Sequence, residues 1–440
     1  MRYSLKRWLA ATLLAGLAAP GASAAGELLR VYGEAQDNDA SFSAARYTRE
    51  AAVEARPQAL AGLLPQLSAS ATQSWQRQRI SGEGLADASY SSSHPYSYGL
   101  NLSQPLFDWA AFRRYAQAGD RVALAEAQFR AAEQDLMLRT AQAYFNLLAA
   151  ADDLRSLQAQ NNASQRQREE AQRRFEVGLA AVTDVQEAQA SHDLTTAQLI
   201  ASRQSLEAAK QALREITGQP VERWVALQDE IPLPTPSQDA ETWVQAALQG
   251  NFDLMMADYQ ASIAEADIGI ARAGHYPTVN LAAARSTRQV NDFNQGKADA
   301  DAVSLQLSLP LFAGGGVASQ LRQAQATQRQ YEAQALARKR LVERNTRDAW
   351  QGVVTGAAKV KAYRQAVVSN TTALEASETG FSVGTRTTID VLNSRQLLYS
   401  AQRDYSRSRY DYLMSYLNLK AYAGQLAAAD LELIDGLLQR

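Results

Sequence analysis

The sequence predicts an α+β membrane protein in which a strand-strand-helix pattern occurs twice. Its amino terminus is typical of an exported chain, with a basic start, an apolar run and small residues over positions 1–24. The chain then repeats itself at an offset of 206 residues, because Phe175-Glu-Val-Gly178 returns as Phe381-Ser-Val-Gly384. Four segments of about ten residues alternate apolar and polar side chains, as membrane-spanning strands with two different faces do.

Composition excludes several classes of function. The chain has 440 residues with 44 Lys and Arg against 46 Asp and Glu, a near-neutral balance that gives no reason to expect a nucleic-acid partner. It has no Cys and only three His, so disulfides, thiolate sites and a lipidated amino-terminal Cys are excluded, and we expect no metal or cofactor. No nucleophile–base set, phosphate loop or metal motif occurs, so we expect no enzymatic activity.

Residues 1–24 are predicted to be a signal peptide. The apolar run over residues 8–19 is followed by Ala22-Ser23-Ala24, a small-residue cleavage pattern. A membrane-anchoring helix needs roughly 20 apolar residues, and this run is shorter. The mature chain is therefore either soluble in the periplasm or a β-barrel of an outer membrane.

The alternating segments predict the strands of the fold. They lie at about 66–79, 94–105, 278–287 and 302–310. Prolines stand at the junctions of these strands with neighbouring helices, where a residue that cannot donate to a ladder marks a transition; they are Pro65, Pro105, Pro277 and Pro310. The loops between paired strands, about 78–95 and 287–301, are rich in Ser, Gly, Asp and Asn, so we expect them to be extracellular.

The polar face of these strands favours a membrane barrel. A half-buried soluble sheet has the same period, but small polar residues opposite the apolar ones are what a wet lumen requires. Four strands cannot close, and open edges are costly in lipid, so several chains must share one barrel. Two chains give eight strands with a filled interior, whereas three give twelve and room for water. The polar lumen favours three.

Heptad spacing of apolar residues predicts the helices of each repeat. They lie at about 110–175, 183–216, 318–380 and 389–423. The prediction is of two repeats, the first at 25–216 with a hairpin tip near 178 and the second at 241–423 with a tip near 384. A signal peptide at 1–24 precedes them, an irregular equatorial linker at 217–240 joins them, and a carboxy-terminal tail at 424–440 follows.

Several ordered motifs then resemble the TolC-like outer-membrane efflux and secretion channels. They are Thr140-Ala-Gln-Ala-Tyr-Phe-Asn146, Arg174-Phe-Glu-Val-Gly-Leu179 with Thr183-Asp-Val185, Ile216-Thr-Gly218, and Ser382-Val-Gly-Thr-Arg-Thr387 with Asp390-Val-Leu392. The resemblance implies a homotrimer with a 12-stranded outer-membrane β-barrel continuous with a long periplasmic α-helical barrel. It implies a passive exit duct for drug efflux, type I protein secretion or both. The implied partners are a periplasmic adaptor (membrane fusion protein), an inner-membrane transporter of RND or ABC type, and outer membrane lipid.

The resemblance also implies a gate at the helical tip. Thr183 and Asp184 match positions that bind the neighbouring coil, Arg386 matches the arginine that pairs with them, and Asp390 matches a ring of carboxylates facing the pore. From the residues alone, Thr183 or Asp184 also fits the N-cap of the next helix, and an exposed Arg or Asp also fits a solvated surface charge. Exposed Asp184–Arg386 pairs are worth roughly 0–1 kcal/mol each.

Two positions depart from the family pattern at this gate. Phe381 stands where a tyrosine would hydrogen-bond the residue matching Asp184, and Asn393 replaces a second pore carboxylate. The missing hydroxyl removes a hydrogen bond of roughly 0.5–1.5 kcal/mol per subunit. We therefore expect a closed state that is held more weakly, unless another contact compensates.

The hairpin tips resemble the motifs by which such channels meet their adaptors. These tips are Val177-Gly178-Leu179 and Val383-Gly384-Thr385. Glycine in either tip also fits a simpler role, since it permits a positive φ in the turn. A general diffusion porin and a soluble periplasmic coiled-coil scaffold remain as alternative functions, although a porin has no use for such long helices. The expected location is the cell outer membrane, with a large periplasmic portion.

Overall fold

The computed structural model describes residues 26–80, 89–233, 236, 238–290 and 296–439. Two long helical hairpins lie side by side and carry a four-stranded sheet at one end. The predicted signal peptide lies outside the described residues, as do the ends of both strand hairpins, 81–88 and 291–295. None of the helices in the described ranges is both long and apolar enough to cross a membrane.

Each half of the chain runs from short helices through strands to a long helical hairpin. The first half comprises α1 (Glu27–Asn38), α2 (Ala40–Val53), α3 (Ala55–Ala61), β1 (Gln66–Gln73), β2 (Gln76–Ile80), β3 (Ser89–Ser93), β4 (Tyr96–Phe107), α4 (Trp109–Glu176) and α5 (Val182–Thr217). The second half comprises α6 (Ala240–Gly250), α7 (Phe252–Ala273), β5 (Thr278–Val290), β6 (Gly296–Ser308), α8 (Gly316–Ser382), α9 (Thr388–Tyr422) and α10 (Ala428–Asp435).

The strands differ from the predicted ones at their outer ends. The strand expected at 66–79 is interrupted at Ser74, whose N–H donates to the carbonyl of Pro95 at 2.9 Å, and β2 then pairs with β3 in a separate ribbon. The segments expected as loops, 78–95 and 287–301, are partly strand, because β5 extends to Val290 and β6 begins at Gly296. Backbone pairing continues there although the apolar and polar side chains no longer alternate regularly, so the end of the alternation did not mark the strand ends.

The sheet has one apolar and one polar face. Its strand order is β1-β4-β5-β6 with every pair antiparallel, so β1 and β6 are the free edges. One cross-strand row on the apolar face consists of Leu67, Leu102, Ala283 and Val303. A row on the opposite face consists of Ser70, Gly99, Ser286 and Ala300. Leu67 and Val303 are exposed at 70% and 77%, so none of the described residues covers the apolar face there.

The helix α4 begins at a side-chain cap, and both α4 and α8 end at glycines. The Asp108 carboxylate accepts the N–H of Ala111 at 3.0 Å and so caps α4, which at 68 residues is roughly 100 Å long. At its far end Gly178 has φ 75°, and Leu179 N–H bonds back to the Arg174 carbonyl at 2.7 Å, a left-handed helix end. Gly384 ends α8 in the same way with φ 80°.

Short helices and the linker pack beside the middle of the helical layer. We call this group the collar and define it as α1, α6, α10 and the linker at 218–239. The fully buried Leu28, Tyr144 and Leu413 lie in its core. Its linker is held through backbone groups, since the Tyr144 hydroxyl donates to the Val225 carbonyl at 3.2 Å and the buried Arg409 donates to the Gln228 carbonyl at 2.6 Å. The linker therefore has fixed partners although it has little regular structure.

The carboxy-terminal tail closes the collar. Gln228 N–H donates to the Leu437 carbonyl at 3.0 Å, which joins the tail to the linker. The Asp435 carboxylate accepts the N–H groups of Leu28 and Leu29 at 2.7 and 2.8 Å, at the start of α1. Gly26 lies so close that a Cβ there would be 2.1 Å from Asp435 Cγ. The Asp435 side chain at the end of α10 thus binds the start of α1.

Candidate gate at the helical tips

Both hairpin tips lie at the end of the helical layer far from the sheet, because α4 starts directly after β4 and runs without a break to the first tip. The side chains of Val177, Leu179 and Val383 are exposed at 68%, 76% and 68%. Gly178 and Gly384 have open space where a Cβ would lie, so their positive φ, and not crowding, favours glycine. The tips thus present apolar side chains that the described part of the chain leaves exposed.

Asp184 interacts locally at the first tip. Its carboxylate accepts the N–H of Ala181 at 3.2 Å, and Ala181 is the N-cap of α5. Neither Asp184 nor the exposed Thr183 is therefore the N-cap itself. Because alanine has no side-chain acceptor, only one half of a capping box forms here. The remaining oxygen of Asp184 has room for a partner from a neighbouring coil.

Asp390 occupies the matching position at the second tip, where the capping box is complete. Its carboxylate accepts the N–H and the hydroxyl of Thr387 at 2.9 and 2.8 Å, and the Thr387 hydroxyl accepts the N–H of Asp390. The bond from the Thr387 N–H is the main cause that lowers the pKa of Asp390, followed by the Thr387 hydroxyl, with a contribution from the charge of Arg386. Asp390 is therefore held in its ionised form. Asn393 lies exposed one helical turn further along α9.

Arg386 does not pair with Asp184 within the described part of one chain. Its aliphatic portion packs on Gly380, where a Cβ would lie 2.7 Å from Arg386 Cγ, and the side chain is otherwise exposed. The absence of a side chain at Gly380 thus makes room for Arg386. The guanidinium remains accessible to a second subunit.

Phe381 contacts an arginine of the other hairpin. The Arg174 guanidinium carbon lies 4.9 Å from the centre of the Phe381 ring, and this cation–π contact joins α4 to α8. Such a contact is worth about 0.5–1 kcal/mol at an exposed site. It is of the same order as the hydrogen bond that a tyrosine at this position would make. Sequence reasoning missed Arg174, although its place in the last turn of α4, beside the tip, was a signal.

Arg395 is a second inter-helix contact that sequence reasoning missed. It lies on α9 and donates from Nη1 to Gln167 of α4 at 3.0 Å and from Nη2 to Glu378 of α8 at 2.6 Å. Its side chain is only 20% exposed. The signal was its spacing, because it falls between the buried Val391 and Leu398 on one helix face. An arginine in an apolar stripe indicates a charged partner on a facing helix.

The described residues contain no group of three or more His, Asp or Glu that could hold a metal ion. The contacts observed near the tips are hydrogen bonds, an ion pair and a cation–π contact. Such contacts can form and break without covalent change, as the opening and closing of a gate requires.

Comparison with known proteins identifies the class. The outer membrane efflux protein family matches residues 31–219 and 243–425, once in each repeat. The outer membrane protein TolC of Escherichia coli is 33% identical over 446 residues, which is 97% of this chain and 89% of TolC. The alkaline protease secretion protein AprF of Pseudomonas aeruginosa is also 33% identical, over 92% of this chain and 86% of AprF.

Solved structures agree in fold. The Campylobacter jejuni CmeC outer membrane channel superposes with a TM-score of 0.79 at 18% identity, covering 94% of this chain and 90% of CmeC. The open state of the Neisseria gonorrhoeae MtrE outer membrane channel superposes with a TM-score of 0.74 at 21% identity, covering 91% and 90%.

The chain belongs to the outer membrane efflux protein family. It is an outer membrane channel of efflux or secretion systems, with a periplasmic helical domain, and the family is one of channels rather than enzymes. TolC-family channels form trimers within tripartite systems. The resemblance, the TolC-like fold, the channel function and the outer-membrane location predicted from the sequence are confirmed.

Proposed function

We propose that three copies of this chain form one gated conduit, with twelve strands in the outer membrane and a helical barrel in the periplasm. The observation that carries this proposal is the open sheet. Its edge strands β1 and β6 have unpaired backbone groups, and its apolar face is uncovered beside a small polar face. Unpaired backbone in lipid is costly, and three sheets joined edge to edge leave none while enclosing water.

The outermost helices support the same assembly. In the half of the layer nearest the tips, α4 packs between α5 and α9, and α8 packs on α9, so α5 and α8 are the outer members. Each exposes large aliphatic side chains, with Ile200 of α5 at 62% and Val368 of α8 at 54%. A neighbouring subunit would cover both surfaces.

The gate of this conduit consists of contacts within and between subunits. Within one subunit, Arg174–Phe381 and Arg395 join the two hairpins near their tips. Between subunits, Arg386 reaches Thr183 and Asp184 of the next hairpin. Each contact is weak, which allows another protein bound at the tip to open the pore.

Asp390 gives the closed pore its ion preference. Three ionised copies concentrate cations at the constriction, whereas the neutral Asn393 leaves a single carboxylate ring. The apolar residues at the two glycine turns are the surface that a periplasmic adaptor would cover. An inner-membrane transporter of RND or ABC type would supply the cargo through that adaptor.

The cargo classes follow from the relatives. AprF is named for secretion of alkaline protease, and CmeC and MtrE are outer membrane channels. We assign this chain to passive export of drugs, secreted proteins or both, with no role in chemistry. Its lipid partner is the outer membrane.

Single-channel recording in planar bilayers tests this function. The purified protein should migrate as a heat-modifiable trimer and conduct with a small, mostly closed conductance that trivalent cations block. Asp390→Asn should lose the block and keep the trimer. A constantly open pore would favour a diffusion porin, and a protein absent from the membrane fraction would favour a periplasmic scaffold; either result would refute the proposal.

A further inference from the structure

Aromatic and aliphatic side chains form an exposed band where the helices meet the sheet. We define the aromatic band as Phe107, Trp109, Phe112, Tyr276 and Phe312, whose exposures are 38%, 40%, 44%, 39% and 89%. The Trp109 and Tyr276 rings lie edge to face with their centres 6.4 Å apart. Aromatic side chains of this kind are enriched at membrane–water interfaces. The band therefore marks the periplasmic boundary of the hydrocarbon.

Five arginines follow the aromatic band on the periplasmic side. We define the basic band as Arg56 of α3, Arg113 and Arg114 of α4, Arg272 of α7 and Arg322 of α8. All five lie within about 10 Å of the helix end that meets the sheet, at 1.5 Å per residue. Four of them are exposed and Arg113 is partly buried. The nearby Asp108 carboxylate caps α4 through Ala111 N–H and is not used to neutralise them.

The arginines of the basic band have no carboxylate partner within the described ranges, whereas some arginines further along the helices do. No ion pair forms at any of the five among the residues that the structure describes, and Arg56 only lies over the Tyr115 ring at 5.8 Å. Deeper in the helical layer, arginines pair with acidic residues; examples are Arg130, Arg139, Arg338, Arg347 and Arg364. What distinguishes the band is the place of its five arginines, all beside the aromatic band at the helix ends that meet the sheet.

Arg113 adds a second observation. Its Nε is buried without a hydrogen-bond partner. It lies across Gly269 of α7, where a Cβ would be only 2.6 Å from Nε, so the glycine leaves the space that the arginine occupies. Buried polar groups are usually satisfied by protein, water or a ligand. Packing on α7 thus holds the Arg113 side chain in place within the basic band, and no carboxylate among the described residues pairs with it.

We propose that the basic band binds the phosphate headgroups of anionic phospholipids in the periplasmic leaflet of the outer membrane. The order along the molecule is apolar strands, aromatic band, basic band and the rest of the helical layer, which matches hydrocarbon, interface, headgroup phosphates and water. Arginine suits phosphate because its planar fork makes two parallel hydrogen bonds. The inference rests on the proposed channel only for its place in the membrane, and not on the gate.

Tryptophan quenching by brominated lipids tests the proposal. Trp109 lies in the aromatic band, and Trp75→Phe removes the exposed tryptophan of the sheet region. The reconstituted trimer is compared in phosphatidylcholine vesicles containing brominated phosphatidylglycerol or brominated phosphatidylcholine. Each arginine near an anionic surface contributes about fivefold to binding. We expect the anionic lipid to be preferred at Trp109 by at least about tenfold at low salt, and the preference to fall at high salt.

Matched variants connect the preference with the band. The quadruple variant Arg56→Gln, Arg114→Gln, Arg272→Gln and Arg322→Gln should lose the preference, and the four Arg→Lys changes at the same positions should keep most of it. Arg166→Gln, Arg173→Gln, Arg203→Gln and Arg214→Gln remove the same charge from exposed positions far from the sheet, so this control should behave as the parent.

The proposal is overturned if both brominated lipids quench the parent equally, if the Gln variant keeps the preference, or if the control loses it. It is also overturned if inorganic phosphate abolishes the preference more than chloride of equal ionic strength, because free phosphate would then be the recognised species. Conductance of the same vesicles separates the two proposals. A conducting channel without lipid preference refutes only the lipid inference, whereas protein that forms no channel refutes the proposed function.

Discussion

Replacing Phe381 with leucine should open the channel measurably, because the ring is the acceptor of the Arg174 cation–π contact between α4 and α8. The contact is worth about 0.5–1 kcal/mol per subunit at an exposed site. Three subunits that open together would lose about 1.5–3 kcal/mol. Since every 1.4 kcal/mol is a factor of ten, the ratio of open to closed channels should rise about 10-fold to 150-fold.

A double-mutant cycle isolates this contact from other effects of the substitution. Open probability in planar bilayers is measured for Phe381→Leu, Arg174→Gln and the double variant, and their coupling reports the pair itself. Phe175→Leu is the matched control, because Phe175 occupies the same position at the first tip. Additive effects of the two substitutions, or equal opening by the control, would refute the assignment of a cation–π latch.

Three further outcomes follow from the structure. Asp390 has a lowered pKa and stays ionised to lower pH than an ordinary aspartate. Block of the channel by trivalent cations should therefore persist below pH 4 and fade only as the pH drops through that lowered pKa. Loss of block near the pKa of an ordinary aspartate would contradict this. Gly178→Val and Gly384→Val should abolish export in cells while heat-modifiable trimers still form, and unimpaired export would exclude the docking role. Asp435→Ala should lower unfolding free energy by about 0.5–2 kcal/mol in denaturant melts, as loss of a helix cap does, while the exposed Glu432→Ala should not.

The sequence predicted the duplicated architecture well because its signals are repetitive. Heptads placed the long helices within one or two residues of their observed ends, and glycine with its positive φ marked both tips. The outer ends of the strands were not predictable in the same way, since β6 continues through the polar Lys297 and Asp299, where backbone pairing is joined by polar contacts such as the Thr287 hydroxyl donating to Asp299 at 2.6 Å. Periodicity reports which face is apolar, and it fails where both faces are polar.

The contacts near the helical tips were predicted only in part, for a different physical reason. The resemblance to the family predicted tip roles for Arg386 and Asp390. It did not predict the contacts of Arg174 and Arg395, because those contacts depend on how two helices distant in sequence pack together. Gln167 and Glu378 are 211 residues apart in the chain, yet one guanidinium joins them. Such contacts become visible only when the packing of the hairpins is known.

The hold of Asp435 on the start of α1 has a consequence for biogenesis. An exported chain enters the periplasm with its amino end first, so residues 26–29 arrive long before their partner at position 435. The α1 helix can pack on α4 and α5 earlier, but its Asp435 cap can form only when translocation is almost finished. The collar is therefore completed late, after the carboxy-terminal residues have been translocated. A product truncated before position 435 would lack the contact that joins α10 to α1.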